Sequence, residues 1–310
     1  MHAASASRSR TPFPISIPGA VINRFRSYER EVVHVRGTDG DELVIKVFGT
    51  GAKKLAKGDA WELVELGQRY LDALRALGVR MDKPTVEIAQ NGDPDHAILV
   101  EHSPYRGRSV GELLQEAQAD SELVSLVRGV LECVRGFFGQ RGDPHFPVGI
   151  DLVPRNFTRD EDGKYYCIDF HPPKLRLPNG TFTLEWPQPA DPSVYAIGVY
   201  RHFHPLGLLR VLFLHLCRIR SDRYNLFRRE IHRFADEVRI SGDPIPEIDR
   251  ECLEELGFDH VYDLRLLACQ LAAEGRIMQA TLDRVFDLTH FQTDPVAADH
   301  FLDACRILRG

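Results

Sequence analysis

The fold of this chain is decided by the stretch Gly149–Pro173, GIDLVPRNFTRDEDGKYYCIDFHPP. Within it, Asp151 and Asn156 stand five residues apart in the pattern D-L-x-P-x-N. Asp169 follows eighteen residues after Asp151, at the end of the apolar run Tyr165–Ile168. Three side chains capable of metal or proton chemistry therefore stand at fixed separations in one short segment.

This segment predicts a β-hairpin. Asn156–Thr158 has an extended pattern, Asp160–Gly163 has turn chemistry, and Lys164–Ile168 returns as a second strand. Such a hairpin brings Asp169 back beside the amide at the start of the first strand. A carboxylate and an amide carbonyl then converge, which suits a hard cation such as magnesium. Asp151, on the loop just before, faces the same space, so the stretch predicts a combined metal and base site.

The pattern D-L-x-P-x-N followed by I-D-F resembles the catalytic and metal-binding loops of the protein-kinase-like fold. It is most similar to those of the aminoglycoside phosphotransferases and related small-molecule kinases. The resemblance implies that Asp151 orients the acceptor hydroxyl or accepts its proton, and that Asn156 and Asp169 hold magnesium on the nucleotide phosphates. The family usually has a histidine and a glycine where this chain has Gly149-Ile150, and His171 stands where a glycine or glutamate is more common. Neither change removes a ligand.

The N-terminal part of the chain has the sequence pattern of a small antiparallel sheet. Glu31–Arg36 and Glu42–Phe48 are predicted strands joined by a turn, and Pro84–Ala89 and His96–Val100 are two more. Lys46, in V-I-K-V, resembles the strand lysine of kinases that contacts the α- and β-phosphates. An exposed position on an edge strand is the alternative for this residue.

A helix is predicted at Lys53–Leu77 from its apolar periodicity, with Gly78 as its stop. In the family a glutamate on this helix pairs with the strand lysine. The resemblance implies Glu65 for this role, with Glu62 as the second choice. A solvated glutamate is the alternative for either.

A glycine-rich phosphate loop is missing. Its place is taken by Asn23–Arg30, which contains no glycine. Backbone amides approach phosphates closely only where side chains do not intervene. Any contact with phosphate would then come from side chains such as Arg24, Arg26 or Ser27, or the loop stays open.

Glu101–Ser103 follows the last predicted strand and precedes a helical stretch, as a hinge between lobes does in the family. The resemblance implies that backbone groups from Glu101 to Ser103 bind a purine edge. From Gly111 onward the pattern is mainly helical, including a helix at Glu122–Phe138 capped by Ser121. Residues 193–239 are dense in Arg and His, and either an anion-attracting wall or solvated helix faces explains this density. Solvated faces are the favoured interpretation.

Composition excludes several classes of protein. The chain has 310 residues, 43% of them hydrophobic, and a net charge of −6 with a pI near 6.1, so no basic field points to nucleic acid. The six cysteines form no C-x-x-C pair, which is typical of reduced core residues in a cytoplasmic protein. No apolar run of membrane-spanning length exists, and the first nineteen residues lack the apolar region of a secretory signal.

The sequence therefore predicts an α+β, bilobal protein-kinase-like fold. Residues 1–19 form a disordered tail, 20–102 a small antiparallel-sheet, nucleotide-binding N-lobe, and 103–310 a larger, mainly helical, catalytic and acceptor-binding C-lobe. The expected activity is magnesium-dependent transfer of the γ-phosphate of ATP or GTP to a hydroxyl of a small molecule, with antibiotic resistance as one setting. A pseudokinase-type binding module and a kinase-fold enzyme that transfers AMP are the alternatives. No nucleic-acid or membrane partner is expected.

Overall fold

A computed structural model of the protein describes residues 19–26, 31–50, 55–90, 93–139, 148–170 and 201–245. The chain forms two compact units. One contains residues up to Val64 together with Lys83–Tyr105, and the other contains Glu65–Asp82 together with residues from Arg106 onward. The first is mainly an antiparallel sheet and the second is mainly helical, which confirms the predicted α+β class. The predicted tail lies outside the described residues except for its last residue, and the predicted lobe boundary at residue 102 falls within a strand.

The sheet of the first unit has six strands. They are β1 (Ala20–Arg26), β2 (Glu31–Arg36), β3 (Glu42–Phe48), β4 (Leu55–Ala56), β5 (Thr85–Gln90) and β6 (His96–Pro104). Their order is β1-β2-β3-β6-β4, with β5 also paired to β6, and all pairings are antiparallel. Alternating residues of β2, β3 and β6 form its core: Val33, Val35, Ile45, Val47, Ile98 and Val100. The predicted bounds of β2 and β3 are confirmed.

Two predictions about this sheet are wrong. The sequence places Asn23–Arg30 where a phosphate loop would lie, but Asn23–Arg26 belongs to β1 and pairs with β2, and Ser27–Arg30 lies outside the described residues. No glycine or proline ends the strand after the apolar run Ala20–Ile22, so it continues to Arg26, with one bulge between Val21 and Asn23. β6 also continues to Pro104, beyond the predicted end at Val100.

Helix α1 spans Lys57–Ala76 and ends one residue before the predicted end at Leu77. Gly78 adopts a positive φ of 80°, and Val79 N donates a hydrogen bond of 3.0 Å to Leu74 O. Both features are typical of a helix C-terminus. Its predicted start is wrong, because Leu55–Ala56 forms β4 against β6 before the helix begins.

The second unit contains most of the helices. These are α2 (Val110–Glu116), α3 (Asp120–Cys133), α4 (Arg135–Phe138), α5 (Pro205–Ile219) and α6 (Tyr224–Glu237), with 3-10 turns at Pro154–Asn156 and Ser221–Arg223. Its described part also contains a two-stranded hairpin, β7 (Phe157–Arg159) and β8 (Tyr165–Cys167). None of the helices in the described ranges combines the length and apolarity of a bilayer span.

The helix predicted at Glu122–Phe138 is in fact two helices, α3 and α4, that meet at Val134. Two residues after the break, Gly136 lies in α4, and a Cβ there would lie 2.6 Å from Leu77 O, so the two backbones approach closely. Ser121 is not the cap, because it lies inside α3 and Ala119 precedes the helix.

The favoured interpretation of the basic region as solvated helix faces is wrong for two residues of α5. Arg210 is 1% exposed and His215 is 8% exposed. α5 is apolar around almost its whole circumference, so its few polar side chains are buried with the rest. Cys133, Cys167 and Cys217 are free thiols buried in this unit, as the cysteine pattern predicts.

Candidate functional site

The loop that carries Asp151 is held in place by contacts with the helical residues 201–203. Ile150 N donates a hydrogen bond to His202 O at 3.0 Å. Gly149 packs against the ring of Phe203, so closely that a Cβ would lie 2.7 Å from two ring carbons. A larger side chain at Gly149 would therefore displace the loop, which explains why a glycine stands two residues before Asp151.

Asp151, Asn156 and Asp169 come together around one amide group. Asn156 Nδ2 lies 3.2 Å from Asp151 O, 3.3 Å from Asp151 Oδ2 and 3.4 Å from Asp169 Oδ2. All three side chains are partly buried. These distances agree with the predicted approach of Asp169 to Asn156 at the end of the hairpin.

The local structure at Asn156 differs from the prediction. Asn156 ends the 3-10 turn and β7 begins one residue later, at Phe157. Pro154 favours this turn, because its fixed φ suits the first position of a helical turn and Asn156 N donates to Val153 O at 3.0 Å. The turn Asp160–Gly163 is confirmed, with Gly163 at a φ of 78° and its N donating to Asp160 O.

Asp151 offers an acceptor atom with no other use. Its Oδ1 is buried and has no hydrogen-bond partner among the residues that the structure describes. Buried polar atoms are rarely left in this state unless a ligand or water completes them. This oxygen could accept the proton of a bound hydroxyl group.

Asn156 and Asp169 fit a magnesium ion by their chemistry. Because Asn156 Nδ2 faces the backbone of Asp151, its carbonyl Oδ1 is the amide atom left to bind a cation. Within the described ranges, no group of three or more His, Cys, Asp or Glu side chains could hold a metal ion. Magnesium needs no such cage, since one or two protein oxygens together with substrate phosphates commonly suffice.

Lys46 belongs to the other unit, where it forms a buried ion pair. Its Nζ lies 2.8 Å from Glu101 Oε1, and the two side chains are 8% and 1% exposed. They meet because Lys46 on β3 stands directly opposite Glu101 on β6. The edge-strand alternative is excluded, because β3 lies between β2 and β6.

Glu101 was expected to offer only backbone groups to a purine, and its side chain is the functional feature that the sequence analysis missed. A signal existed, since Lys46 and Glu101 are opposite charges that each follow an apolar strand run. At Glu101 the backbone lies between β3 and β5, whereas beyond His102 β6 is paired with β3 alone. The purine-binding role of Glu101 and Ser103 stays a prediction.

The other residues predicted to contact the nucleotide remain predictions. Glu65 is exposed on α1, and its pairing with the strand lysine stays a prediction. Arg24 is exposed on β1 opposite Val33. Ser27 lies outside the described residues.

Tyr70, on α1, is buried and feels the charges of Asp169 and Asp151. Burial, and after it the negative charge of Asp169, raises the pKa of the Tyr70 phenol well above its ordinary value. Cys167 and Asp151 act in the same direction. The phenol therefore stays protonated and neutral beside these carboxylates.

Comparison with known proteins concerns the fold alone. No protein-family model matches the chain, and no curated protein sequence does. The chain is similar to a solved amicoumacin kinase in complex with AMP-PNP, Ca2+ and Ami, at 12% identity and a TM-score of 0.39, over 87% of this chain and 88% of that one. It is also similar to a MAP kinase from Leishmania major, at 13% identity and a TM-score of 0.35, over 90% of this chain and 85% of that one.

Proposed function

We propose that this protein is a phosphotransferase of the protein-kinase-like fold. It would move the γ-phosphate of ATP or GTP to a hydroxyl group of a small molecule. The observation that carries the proposal is the convergence of Asp151, Asn156 and Asp169 around one amide, with all donor–acceptor distances between 3.2 and 3.4 Å.

In this proposal Asp151 orients the acceptor hydroxyl and receives its proton at Oδ1, the buried oxygen with no partner among the described residues. Asn156 keeps Asp151 in place through its Nδ2 hydrogen bonds. Positioning and charge stabilisation are the main tasks of a protein in phosphoryl transfer, so this arrangement is suited to that reaction.

Asn156 Oδ1 and the Asp169 carboxylate would hold a magnesium ion, which neutralises phosphate charge when it is bound. Lys46 would neutralise phosphate oxygens further. Its partner Glu101 holds the Lys46 ammonium group at a distance of 2.8 Å from Oε1 and offsets the cost of burying this charge in an apolar sheet.

The acceptor class is proposed from the resemblance of the Asp151, Asn156 and Asp169 motifs to those of small-molecule kinases. Tailoring or inactivation of an antibiotic is one setting for such an activity. The basic residues Arg210 and His215 do not form a solvent-facing wall for an anionic acceptor, because both are buried.

Thermal unfolding with ATP or GTP, with and without magnesium, tests the nucleotide site. A nucleotide at a hundredfold excess over its dissociation constant should stabilise the protein by about 2.7 kcal/mol, a shift of several degrees. Asp169→Asn should lose the magnesium-dependent part of this shift, whereas Asp162→Asn, in the exposed hairpin turn, should keep it. No shift with either nucleotide in the wild type would contradict the proposal and favour a binding module.

Mass analysis of products identifies the group transferred. A gain of one phosphate on a hydroxyl compound supports the proposal. A gain of AMP would instead show the nucleotide-transferring alternative.

A further inference from the structure

Gly67 lies in the middle of α1, at a position where glycine is less favourable than alanine for a helix. A Cβ built there would lie 2.5, 2.9 and 3.1 Å from Cε1, Cζ and Cδ1 of Phe170. Phe170 is 4% exposed, so its ring fills the space that any other residue at 67 would need. Both residues belong to the same unit.

The residues around Asp169 are fixed on both sides. On the N-terminal side, Ile168 N donates to Asn156 O at 2.9 Å, and Cys167 N donates to Arg80 O at 2.9 Å. On the C-terminal side, the ring of Phe170 rests on Gly67. Asp169 is the residue between these two fixed points, so its carboxylate follows any movement of Phe170.

We propose that Gly67 is a positioning residue for Asp169. Because glycine has no side chain, the ring of Phe170 can pack directly against α1, and this packing sets the position of the neighbouring Asp169 carboxylate. This inference rests on the proposed function, in which Asp169 holds the cation. It assigns a role in the site to a residue that carries no functional group.

Distances show why a single methyl group would matter. Carbon atoms in contact normally stand about 3.5–4.0 Å apart, so a Cβ at 2.5 Å requires a shift of about 1 Å. Magnesium binds its ligands at about 2.0–2.1 Å in near-ideal octahedral geometry, which a displacement of about 1 Å does not satisfy.

The next turn of α1 supports the same arrangement. Tyr70 stands three residues after Gly67, on the same face of the helix, and is 1% exposed. The influence of Asp169 on its phenol places this helix face beside the carboxylate.

Four proteins test the inference: the wild type, Gly67→Ala, Gly58→Ala and the double variant Gly67→Ala/Phe170→Leu. Gly58 is the matched control, because it lies on the same helix and a Cβ there meets nothing within 4 Å. Calorimetric titration gives the dissociation constant of ATP with and without magnesium for each protein. A general loss of structure would change both constants, whereas a misplaced Asp169 changes only the one with magnesium.

We expect Gly67→Ala to weaken binding of magnesium–ATP about tenfold or more, with magnesium-free binding changed less than about threefold. Gly58→Ala should bind as the wild type does. The double variant should recover most of the magnesium-dependent affinity, because leucine leaves room for the new methyl group.

Wild-type binding by Gly67→Ala, or no recovery in the double variant, would overturn the inference and leave the proposed function standing. A wild type that binds ATP without any magnesium dependence would overturn both. If Gly67→Ala does not fold, the double variant decides. Folding with magnesium-dependent binding supports the inference, and failure to fold overturns it, because the methyl group would then conflict with something other than Phe170.

Discussion

Asp151 shows how much of the chemistry depends on one side chain. Its Oδ2 lies 3.3 Å from Asn156 Nδ2, while its Oδ1 has no partner among the described residues. In the proposed mechanism Oδ2 orients the carboxylate and Oδ1 receives the substrate proton. Because the two oxygens have different roles, replacing the carboxylate by an amide should affect turnover more than binding.

Asp151→Asn should lower turnover by about 10²–10⁴-fold, because an amide cannot accept the hydroxyl proton. Nucleotide affinity and the melting temperature should change little, since the side chain keeps its size. Steady-state phosphotransfer, together with ATP titration, measures both effects. Asp162→Asn, an exposed acid of the same hairpin, is the control, and equal turnover of the two variants would contradict the role of Asp151.

At the scale of elements, the sheet of the first unit contains a charge pair that its strands bring together. Lys46 and Glu101 are 55 residues apart in the sequence (101 − 46) and become neighbours only through the pairing of β3 with β6. The pair is almost entirely buried. Removing one member leaves the other as an uncompensated charge in an apolar sheet.

Lys46→Met should therefore lower the free energy of unfolding by about 3–5 kcal/mol. The double variant Lys46→Met/Glu101→Gln should be less destabilised than the single one, because no isolated carboxylate remains. Lys164→Met is the matched control: its pair with Asp162 is exposed and 3.4 Å long, so its loss should cost about 0–1 kcal/mol. Urea denaturation gives all three values, and equal losses for the two lysine variants would argue against a buried pair.

Elements with a local cause could be predicted from the sequence. The turn at Gly37–Asp41, the alternation of β2 and β3 and the hairpin turn Asp160–Gly163 each depend on residues close in the chain, and the structure contains them. The convergence of Asn156 and Asp169 followed from the hairpin between them. Here a periodic pattern and a turn were enough to place two functional side chains together.

Contacts between distant segments could not be predicted in the same way. The pair of Lys46 with Glu101 needs the strand order of the sheet, and the fit of Phe170 against Gly67 needs the packing of a helix on the hairpin end. The close approach of Gly136 to Leu77 likewise joins segments that are far apart in the sequence.

At the scale of the whole molecule, a partly buried histidine, His202, connects the stability of the protein to pH. His202 supports the loop of Asp151 through its backbone carbonyl, which accepts from Ile150 N. Burial, followed by the positive charge of Arg201, lowers the pKa of His202 from 6.5 to about 3. The folded protein therefore keeps this side chain neutral throughout the range in which an unfolded chain would protonate it.

The sign of the effect follows from this difference. Below about pH 6.5 the unfolded state binds one more proton than the folded state, so the free energy of unfolding falls as the pH is lowered towards about 3. From about pH 7 to about pH 5 this single group should remove about 2 kcal/mol of stability.

His202→Gln cannot take up the proton and should lose about 2 kcal/mol less than the wild type over the same interval. Urea denaturation at the two pH values measures the difference, with His102→Gln, a partly exposed histidine on β6, as the control that should follow the wild type. If the wild type and His202→Gln lose the same stability, His202 does not stay neutral in the folded protein, and the acid sensitivity must come from other groups.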